Sequence, residues 1–508
     1  MLSTTLDFVQ TNPTRTIVGL FIGCLLVLWI VPFIYNVLFS PMRKVPGPFW
    51  ARITKLWEFY AVLRGRSHED YISLHNKYGP VVRVGPNRYS VIDPQDVKKI
   101  YDFGGNFAKS NFYDGLGVPP NIFTTKDNND HKDRRRKVAS LYTMSTMVSY
   151  EDAVDRMTTL FMRKLNQFAS AKRLIPLPSL TQYYAFDVIG EITFDQNFGM
   201  METMGDTQGI IKDIHGMNSN LAHLGLLPEI IIPFRLMEKL PFFGSAAVNL
   251  TKFTWAQYWK HRSTNSGIKM KSQYDTFLRK ILGLEAAHKL DRINVLDSCG
   301  SNIAAGSDTT GITLSAALYY LYRNPDILAK LRDEIDTMAA EGRISDPVTY
   351  QEAQAMPYLI AVIKETLRMH PAVGTILARV VPKGGMTLAS GCYLPEGTHV
   401  GTNAWPLHHS KEVYGPDADL YRPERWLEDS PQPDYRESMM FAFGGGSRTC
   451  IGRNISLLEL TKTIPQIIRK FDLKFENKEK PWDMYCAWFV YPKYKCWVEQ
   501  RNPAKVEA

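Results

Sequence analysis

The chain has 508 residues, 45% of them hydrophobic and 22% charged, the proportions of an ordinary globular protein long enough to bury a large cofactor. Its formal net charge of +9 suits an anionic membrane surface or an acidic protein partner. No arginine-rich tail, zinc-finger spacing or aromatic–basic RNA motif accompanies that charge, so nucleic acid is excluded as the expected partner.

After an N-terminal tail of residues 1–16, positions 17–39 form a run without a single charged side chain. At roughly 1.5 Å per residue such a run spans about 35 Å, enough to cross a bilayer. It is longer than the apolar region of a cleaved signal peptide. Arg43, Lys44, Arg52 and Lys55 follow it, against Arg15 before it. That asymmetry predicts a single-pass anchor with the body on the cytosolic side, as in the endoplasmic reticulum. Residues 40–50, with Pro46-Gly47-Pro48, read as a stiff hinge. Residues 51–508 are expected to form the main body.

Two alternating runs flank Gly85-Pro86-Asn87 and predict a hairpin. Lys98-Lys99-Ile100-Tyr101 reads as the opening of a helix. Residues 104–126 are loop-like but carry Phe107, Phe112, Tyr113 and Ile122. His131 to Lys137 is a dense basic run, by itself a solvated helix face. Residues 150–215 and 245–290 have helical apolar spacing. Leu221 to Phe243, with Ile230, Ile231, Ile232 and Phe234, is too apolar for a free loop; it is either core or a second membrane contact.

A long apolar helix is expected over 292–322. Within it Ala305-Gly306-Ser307-Asp308-Thr309-Thr310 are poor interior helix formers. A Thr hydroxyl there can bond back to the preceding turn, and such local features often mark functional sites. Glu365 and Arg368 share a helix face three residues apart. Six cysteines, at 24, 299, 392, 450, 486 and 496, are too scattered for a disulfide framework and imply free thiols.

One of them stands apart. Cys450 lies in Phe443-Gly444-Gly445-Gly446-Ser447-Arg448-Thr449-Cys450-Ile451-Gly452, among four glycines and two residues after a cation. Glycines let main-chain N–H groups approach the sulfur and should lower its pKa below the ordinary value of about 8.5. A lone thiolate is a poor zinc site but suits haem iron as one axial donor. Phe443 would shield the sulfur, and Arg448 could pair with a haem propionate.

The spacing Phe-x-x-Gly-x-Arg-x-Cys-x-Gly resembles the signature of the cytochrome P-450 family, the haem-thiolate monooxygenases. That resemblance implies a mainly α fold with a minor β-rich part and haem b held between two long helices by Cys450. Gly446 and Gly452 belong to the cofactor loop. His131 and Arg135 occupy the family's Trp-x-x-x-Arg, with His in place of Trp, and with Arg379 would reach the propionates. Ala305 and Gly306 would leave room for O2, Thr309 would hydrogen-bond it, and Asp308 would relay protons. Glu365, Arg368 and Arg425, the last in Tyr421-Arg422-Pro423-Glu424-Arg425-Trp426, would form a buried structural cluster. Residues 104–126, Val373 to Leu377 and the C-terminal hairpin would line the substrate pocket.

The chain has no dinucleotide fingerprint of its own, so the resemblance implies an NADPH–cytochrome P-450 reductase as electron donor and a lipophilic small molecule as substrate. It looks most similar to microsomal fungal enzymes of secondary metabolism, the pisatin-demethylase-like group. Two other readings stand beside it: a reductase-independent haem-thiolate isomerase or dehydratase, and a non-catalytic membrane haem-binding protein.

Overall fold

The computed structural model describes residues 40–238, 247–263, 275–428 and 433–502, with scattered positions between 18 and 39. The tail 1–16 and the anchor expected over 17–39 therefore lie outside what is described. Among the described residues no helix is long and apolar enough to cross a membrane.

The longer helices are α1 (Ser67–Tyr78), α2 (Asn128–Val138), α3 (Glu151–Ser170), α4 (Leu177–Phe194), α5 (Ile210–Leu224), α6 (Val248–Ser263), α7 (Phe277–Ala286), α8 (Arg292–Arg323), α9 (Pro325–Ala340), α10 (Pro357–Met369) and α11 (Arg453–Lys470). The strands are β1 (Val81–Gly85), β2 (Arg88–Val91), β3 (Ala108–Lys109), β4 (Arg379–Val380), β5 (Met386–Thr387), β6 (Tyr393–Leu394), β7 (His399–Gly401), β8 (Phe471–Phe475), β9 (Asp483–Ala487), β10 (Phe489–Lys493) and β11 (Cys496–Gln500). The fold is thus mainly helical with a small β part, as expected.

A single large core gathers the helical side, from Met147 and Phe161 through Tyr184 and Ile303 to Ile464. From Tyr184 to Phe194 helix α4 is buried on every face, which is why its apolar residues show little periodicity. It packs along α8. Gly311 makes that approach possible, because a Cβ there would stand 2.8 Å from the Gln182 backbone. Gly306 also faces this seam, with Ile189 at 3.4 Å from where its Cβ would be. Helix α8 runs unbroken through the small-residue stretch. Ser307, Thr309 and Thr313 bond back to the carbonyls of Ile303, Ala305 and Thr309 at 2.6, 2.8 and 2.8 Å.

The larger sheet has the order β1-β2-β7-β4-β3. Strands β1 and β2 form the expected hairpin. The helix after it starts earlier than expected: it spans Pro94–Ile100, with Asp93 accepting from Gln95 N and Asp96 N and proline at its first position. Lys98 to Tyr101 close this helix. The two-residue β3 sits at the sheet edge with Lys109 opposite Arg379. The hinge is part of the folded body. Met42 and Val45 are buried, Arg83 N donates to Pro46 O at 2.8 Å, and a Cβ on Gly47 would strike the Arg83 carbonyl.

Behind the Cys450 loop lies the expected ionic cluster. Glu365, Arg368 and Arg425 are buried. Glu365 accepts two bonds from Arg368, at 2.8 and 2.7 Å, and one from Arg425 at 3.0 Å. Trp426 Nε1 and Arg422 N complete its shell at 2.9 and 2.8 Å. Asp417 supplies the second negative charge, 3.1 Å from Arg425. Arg368 and Arg425 spend their other donors on the carbonyls of His408, Tyr414, Asp417, Ala418 and Leu420.

One buried histidine carries this frame to the thiol loop. His408 Nε2 accepts from Phe441 N at 2.8 Å, so its Nδ1 donates to Arg368 O at 2.8 Å. Glu365→Gln would leave two buried guanidiniums short of a counter-charge. We expect a loss of about 3–5 kcal/mol in unfolding free energy, read by denaturant melts. A variant as stable as the parent would refute the structural role.

Candidate active site

The loop around Cys450 is held by its own backbone. Cys450 N donates to Phe443 O at 2.8 Å, and Thr449 N to Gly446 O at 3.1 Å. Gly444 and Gly446 take left-handed φ values of 68° and 62°. At Gly446 no other residue fits, since a Cβ would lie 1.9 Å from the Tyr101 carbonyl. Gly452 has ordinary room, 4.0 Å from the sulfur; its contribution is an N–H aimed at Sγ. Arg135 Nη1 donates to Thr449 O at 2.8 Å, tying α2 to the loop. Phe443 is half-buried, with the Arg453 guanidinium 5.6 Å from its ring centroid.

The sulfur is reachable by a water-sized probe, yet protein surrounds it on all sides. It lines an internal cleft, and its pKa follows the enclosure. Burial pushes the thiol up, opposed by the N–H groups of Gly452 and Arg453 and the charges of Arg135 and Arg453. This corrects the expectation of a thiol lowered by the loop alone. The donors are in place but desolvation outweighs them, so a thiolate here calls for a bound cation such as a metal ion.

Around the cleft stand Lys109, His131, Arg135, Arg379 and Arg448. Among the described residues none of them pairs with a carboxylate. Arg448 gives its Nη atoms to the carbonyls of Thr125, Lys126 and Asp127 and to Asn128 Oδ1, while its buried Nε has no protein partner. Arg379 is buried and makes only long contacts of 3.2–3.4 Å with Leu377 O, Ala378 O and Tyr113 OH. His131 is pushed down to about 3 by burial, then by Arg448, Arg135, Lys109 and Arg379. Burial, with Arg448's neighbour Arg379 adding to it, also brings Arg448 down to about 10.

Lys109 was not among the residues expected from sequence. It is buried, its Nζ donates to Phe123 O, and it lies 4.0 and 3.9 Å from the ring centroids of Tyr113 and Phe123. Burial, Arg379 and Arg448 hold its pKa well below the usual lysine range. Two cations facing each other across strands repel unless an anion lies between them. The one sequence signal was a lysine between Phe107 and the Phe112-Tyr113 pair.

On the opposite wall, α8 turns Ala305 to accessible space, with Ala304 and Gly306 half-buried beside it, and Thr309 is half-exposed on the same face. Asp308, one residue on, points elsewhere. It is fully buried, accepting from Gln182 Nε2 at 2.6 Å and Tyr491 OH at 2.8 Å, with His215 Nε2 at 3.5 Å. Burial pushes its carboxyl up, with His215 and the two hydrogen bonds pulling the other way. Gly306, expected to make room for O2, faces α4 instead.

A thiol at one wall and an excess of buried cations at the rim fit a metal-centred planar dianion. A haem b fits that donor set: sulfur for iron, and Lys109, His131, Arg379 and Arg448 Nε for two propionates.

A family profile for cytochrome P-450 matches residues 45–498. The chain belongs to the cytochrome P-450 family. Its curated relatives include pisatin demethylase of Fusarium vanettenii, 42% identical over 92% of each chain. Cytochrome P-450 monooxygenases cicH of Emericella nidulans and gsfF of Penicillium aethiopicum are each 35% identical, over 91% and 90% of this chain and 95% and 93% of theirs. The family binds haem b through a cysteine thiolate and works with a redox partner, O2 and a small molecule. The chain is an oxidoreductase of the monooxygenase class.

Two predictions follow from the uncompensated charge. Lys109→Met removes one charge-assisted contact worth about 2 kcal/mol. It should speed haem loss to apomyoglobin roughly 30-fold; an unchanged rate would remove Lys109 from the propionate site. His131 gives a pH test. Its folded value near 3 lies below the unfolded value of about 6.5, so the unfolded state binds more protons between them and stability is lost as pH falls through that window. In the haem-free protein His131→Gln should therefore be more stable than the parent at pH 4, by about 2 kcal/mol after solvent screening, and equal to it at pH 8. Comparison with the parent is needed because His68, His75, His370 and His408 are also held low by burial.

Proposed function

We propose that this protein is a membrane-associated, reductase-dependent monooxygenase that places one oxygen atom of O2 on a lipophilic, aromatic secondary metabolite. The observation that carries the substrate class is one apolar cluster. Phe112, Tyr113, Trp488 and Phe489 pack with Leu221, Leu226 and Ile312, with Val373 and Leu377 against them. Ile312 lies one helical turn beyond Thr309, on the same face of α8. Phe112, Tyr113 and Trp488 contact one another at tilted and edge-on angles. Trp488 forms the tip of the β9–β10 hairpin at a φ of 81°, a strained value for a side chain of its size.

Bound haem supplies the activation of O2 and the oxidation of a C–H bond. The chain's own residues supply the rest. Thr309 holds a hydroxyl on the cleft side of α8, its proton shared with the Ala305 carbonyl. Asp308, whose carboxyl is pushed up by burial, is a station for the protons that O2 reduction consumes. The aromatic wall orients the substrate and excludes water. The Fusarium relative is named a demethylase, and oxidation of a methoxy carbon is one outcome this pocket allows, beside ring hydroxylation and epoxidation.

Electrons are proposed to come from an NADPH–cytochrome P-450 reductase docking near the thiol loop, where Lys132, Lys137 and Arg453 are exposed. Membrane contact is supported by exposed Trp50, Leu56, Tyr60 and Leu63, joined to exposed Ile230, Ile232 and Leu236 by the Lys55–Glu229 ion pair. With the charges flanking 17–39, this supports a body on the cytosolic face of the endoplasmic reticulum.

The test is metabolite profiling of a host that expresses the chain with a fungal reductase. A product that needs NADPH and O2 supports the reading. Turnover without NADPH would favour an isomerase or dehydratase. Thr309→Ala should lower product roughly 10–100-fold while NADPH consumption continues and peroxide accumulates; full coupling in that variant would take Thr309 out of the relay.

A further inference from the structure

A cavity lies along α8, bordered by Asp308 and Ile312. Its volume is about 420 Å³, room for on the order of ten water molecules. Gln182 of α4, His215 and Ser219 of α5, and Tyr491 and Lys493 of β10 line the rest of its polar wall.

The hydrogen bonds around Asp308 organise its wall. The Gln182 amide donates to Asp308 Oδ1 at 2.6 Å and lies 3.1 Å from His215 Nε2. Its two N–H groups thus bridge the carboxylate and the imidazole, which accepts at Nε2 in the tautomer that carries its proton on Nδ1. Tyr491 donates to Asp308 Oδ2 at 2.8 Å, and its ring stands edge-on to His215 with centroids 4.8 Å apart. The second carboxylate oxygen lies 3.5 Å from His215 Nε2. Asp308 is sealed from solvent, whereas the His215 side chain is 43% exposed and borders the cavity.

We propose that His215 is the proton inlet of the relay: it takes a proton from cavity water at Nε2 and hands it to Asp308. The inference rests on the monooxygenase reading above. When water protonates Nε2, that nitrogen can no longer accept from Gln182, and both become donors. The amide keeps its bond to Oδ1, and the new Nε2–H has Oδ2 as its nearest acceptor. Transfer breaks the N–H bond, forms O–H on Asp308 and returns the imidazole to its neutral form. The hydroxide left in the cavity is neutralised by bulk solvent. Tyr491, which also receives a 3.4 Å contact from Asn218, can reverse its hydroxyl to accept from the protonated carboxyl.

The other histidines of the interior, His68, His75, His370 and His408, are packed away from water and held low by burial. His215 alone among these sits beside both a cavity and a sealed acid. The titratable and charged groups facing it are Asp308 from α8 and Tyr485, Tyr491 and Lys493 from the hairpin; α4 presents the uncharged Ser179 and Gln182. His215 acts through Asp308 and does not touch the reacting atoms.

The test uses the full-length, haem-loaded protein with its reductase. A parent protein without a thiolate-type carbon-monoxide spectrum would sink the monooxygenase reading itself, and is thereby distinguished from failure of this one. In the diamagnetic ferrous–CO complex, histidine-selective carbon-13 NMR follows His215, identified by the signal that His215→Gln removes. Its ring signal should move in Asp308→Asn, which removes a carboxylate oxygen 3.5 Å from Nε2.

In turnover, His215→Gln should slow NADPH-driven O2 consumption about 5–20-fold and enlarge the solvent deuterium isotope effect. It should also flatten the pH dependence of that rate, because the proton no longer passes through an imidazole. A rate and pH profile like the parent's overturns the proposal. So does a slower rate with an unchanged pH profile, which marks a structural effect, or a His215 signal indifferent to Asp308→Asn. The position is half-exposed, so His215→Gln decides the kinetic arm even if Asp308→Asn fails to accumulate.

Discussion

Burying an ion costs several kcal/mol unless an opposite charge accompanies it, and this fold contains two ionic groups that answer that constraint in opposite ways. Behind the Cys450 loop the account closes: Arg368 and Arg425 face Glu365 and Asp417, and their remaining donors meet backbone carbonyls. In front of it the account is open. Lys109, His131, Arg379 and Arg448 face one another, and burial depresses the charged forms of Lys109, His131 and Arg448. The closed group is a frame and the open group is a binding site. The distinction rests on counter-charge rather than on residue type, since arginines build both.

His408 links the two. Because Phe441 N donates to Nε2, the ring must keep its proton on Nδ1, where Arg368 O receives it. Burial pushes His408 down to about 3, so it stays neutral and the bridge survives ordinary changes of pH. The thiol loop is therefore braced from behind by a bridge that stays neutral. Its front is left to groups that respond to an anion and a metal.

What the sequence made legible was what is local in it. The cysteine loop, the small-residue stretch of α8, the Glu365–Arg368 pair and the β1–β2 hairpin are each written in a few consecutive residues. Contacts assembled from distant segments were not legible. Lys109 matters because β3 lies against β4, 270 residues later, and a two-residue strand leaves no periodic trace. His408 is one of two adjacent histidines, and only its burial between Arg368 and Phe441 tells them apart. The early start of the Pro94–Ile100 helix had a local signal, Asp93 before Pro94, that the basic residues at its end obscured. The direction of the Cys450 shift needed the balance between desolvation and N–H donors, which a motif does not contain.

Helix α8 shows how one segment serves two chemistries. At about 100° per residue, neighbouring side chains leave a helix in different directions. Ala305 and Thr309, four apart, therefore share the cleft, while Gly306 and Asp308 turn toward α4 and the His215 cavity. Gly311 lets α4 come close enough for Thr181 to bond the Gly311 carbonyl at 3.0 Å. That contact sets Gln182 within reach of Asp308. Adding a methyl at Gly311 would push α4 away and separate the amide from the acid before it disturbed the haem side. The glycine that appears to serve packing thus also fixes the polar geometry through which protons must pass, and the two requirements cannot be relaxed independently.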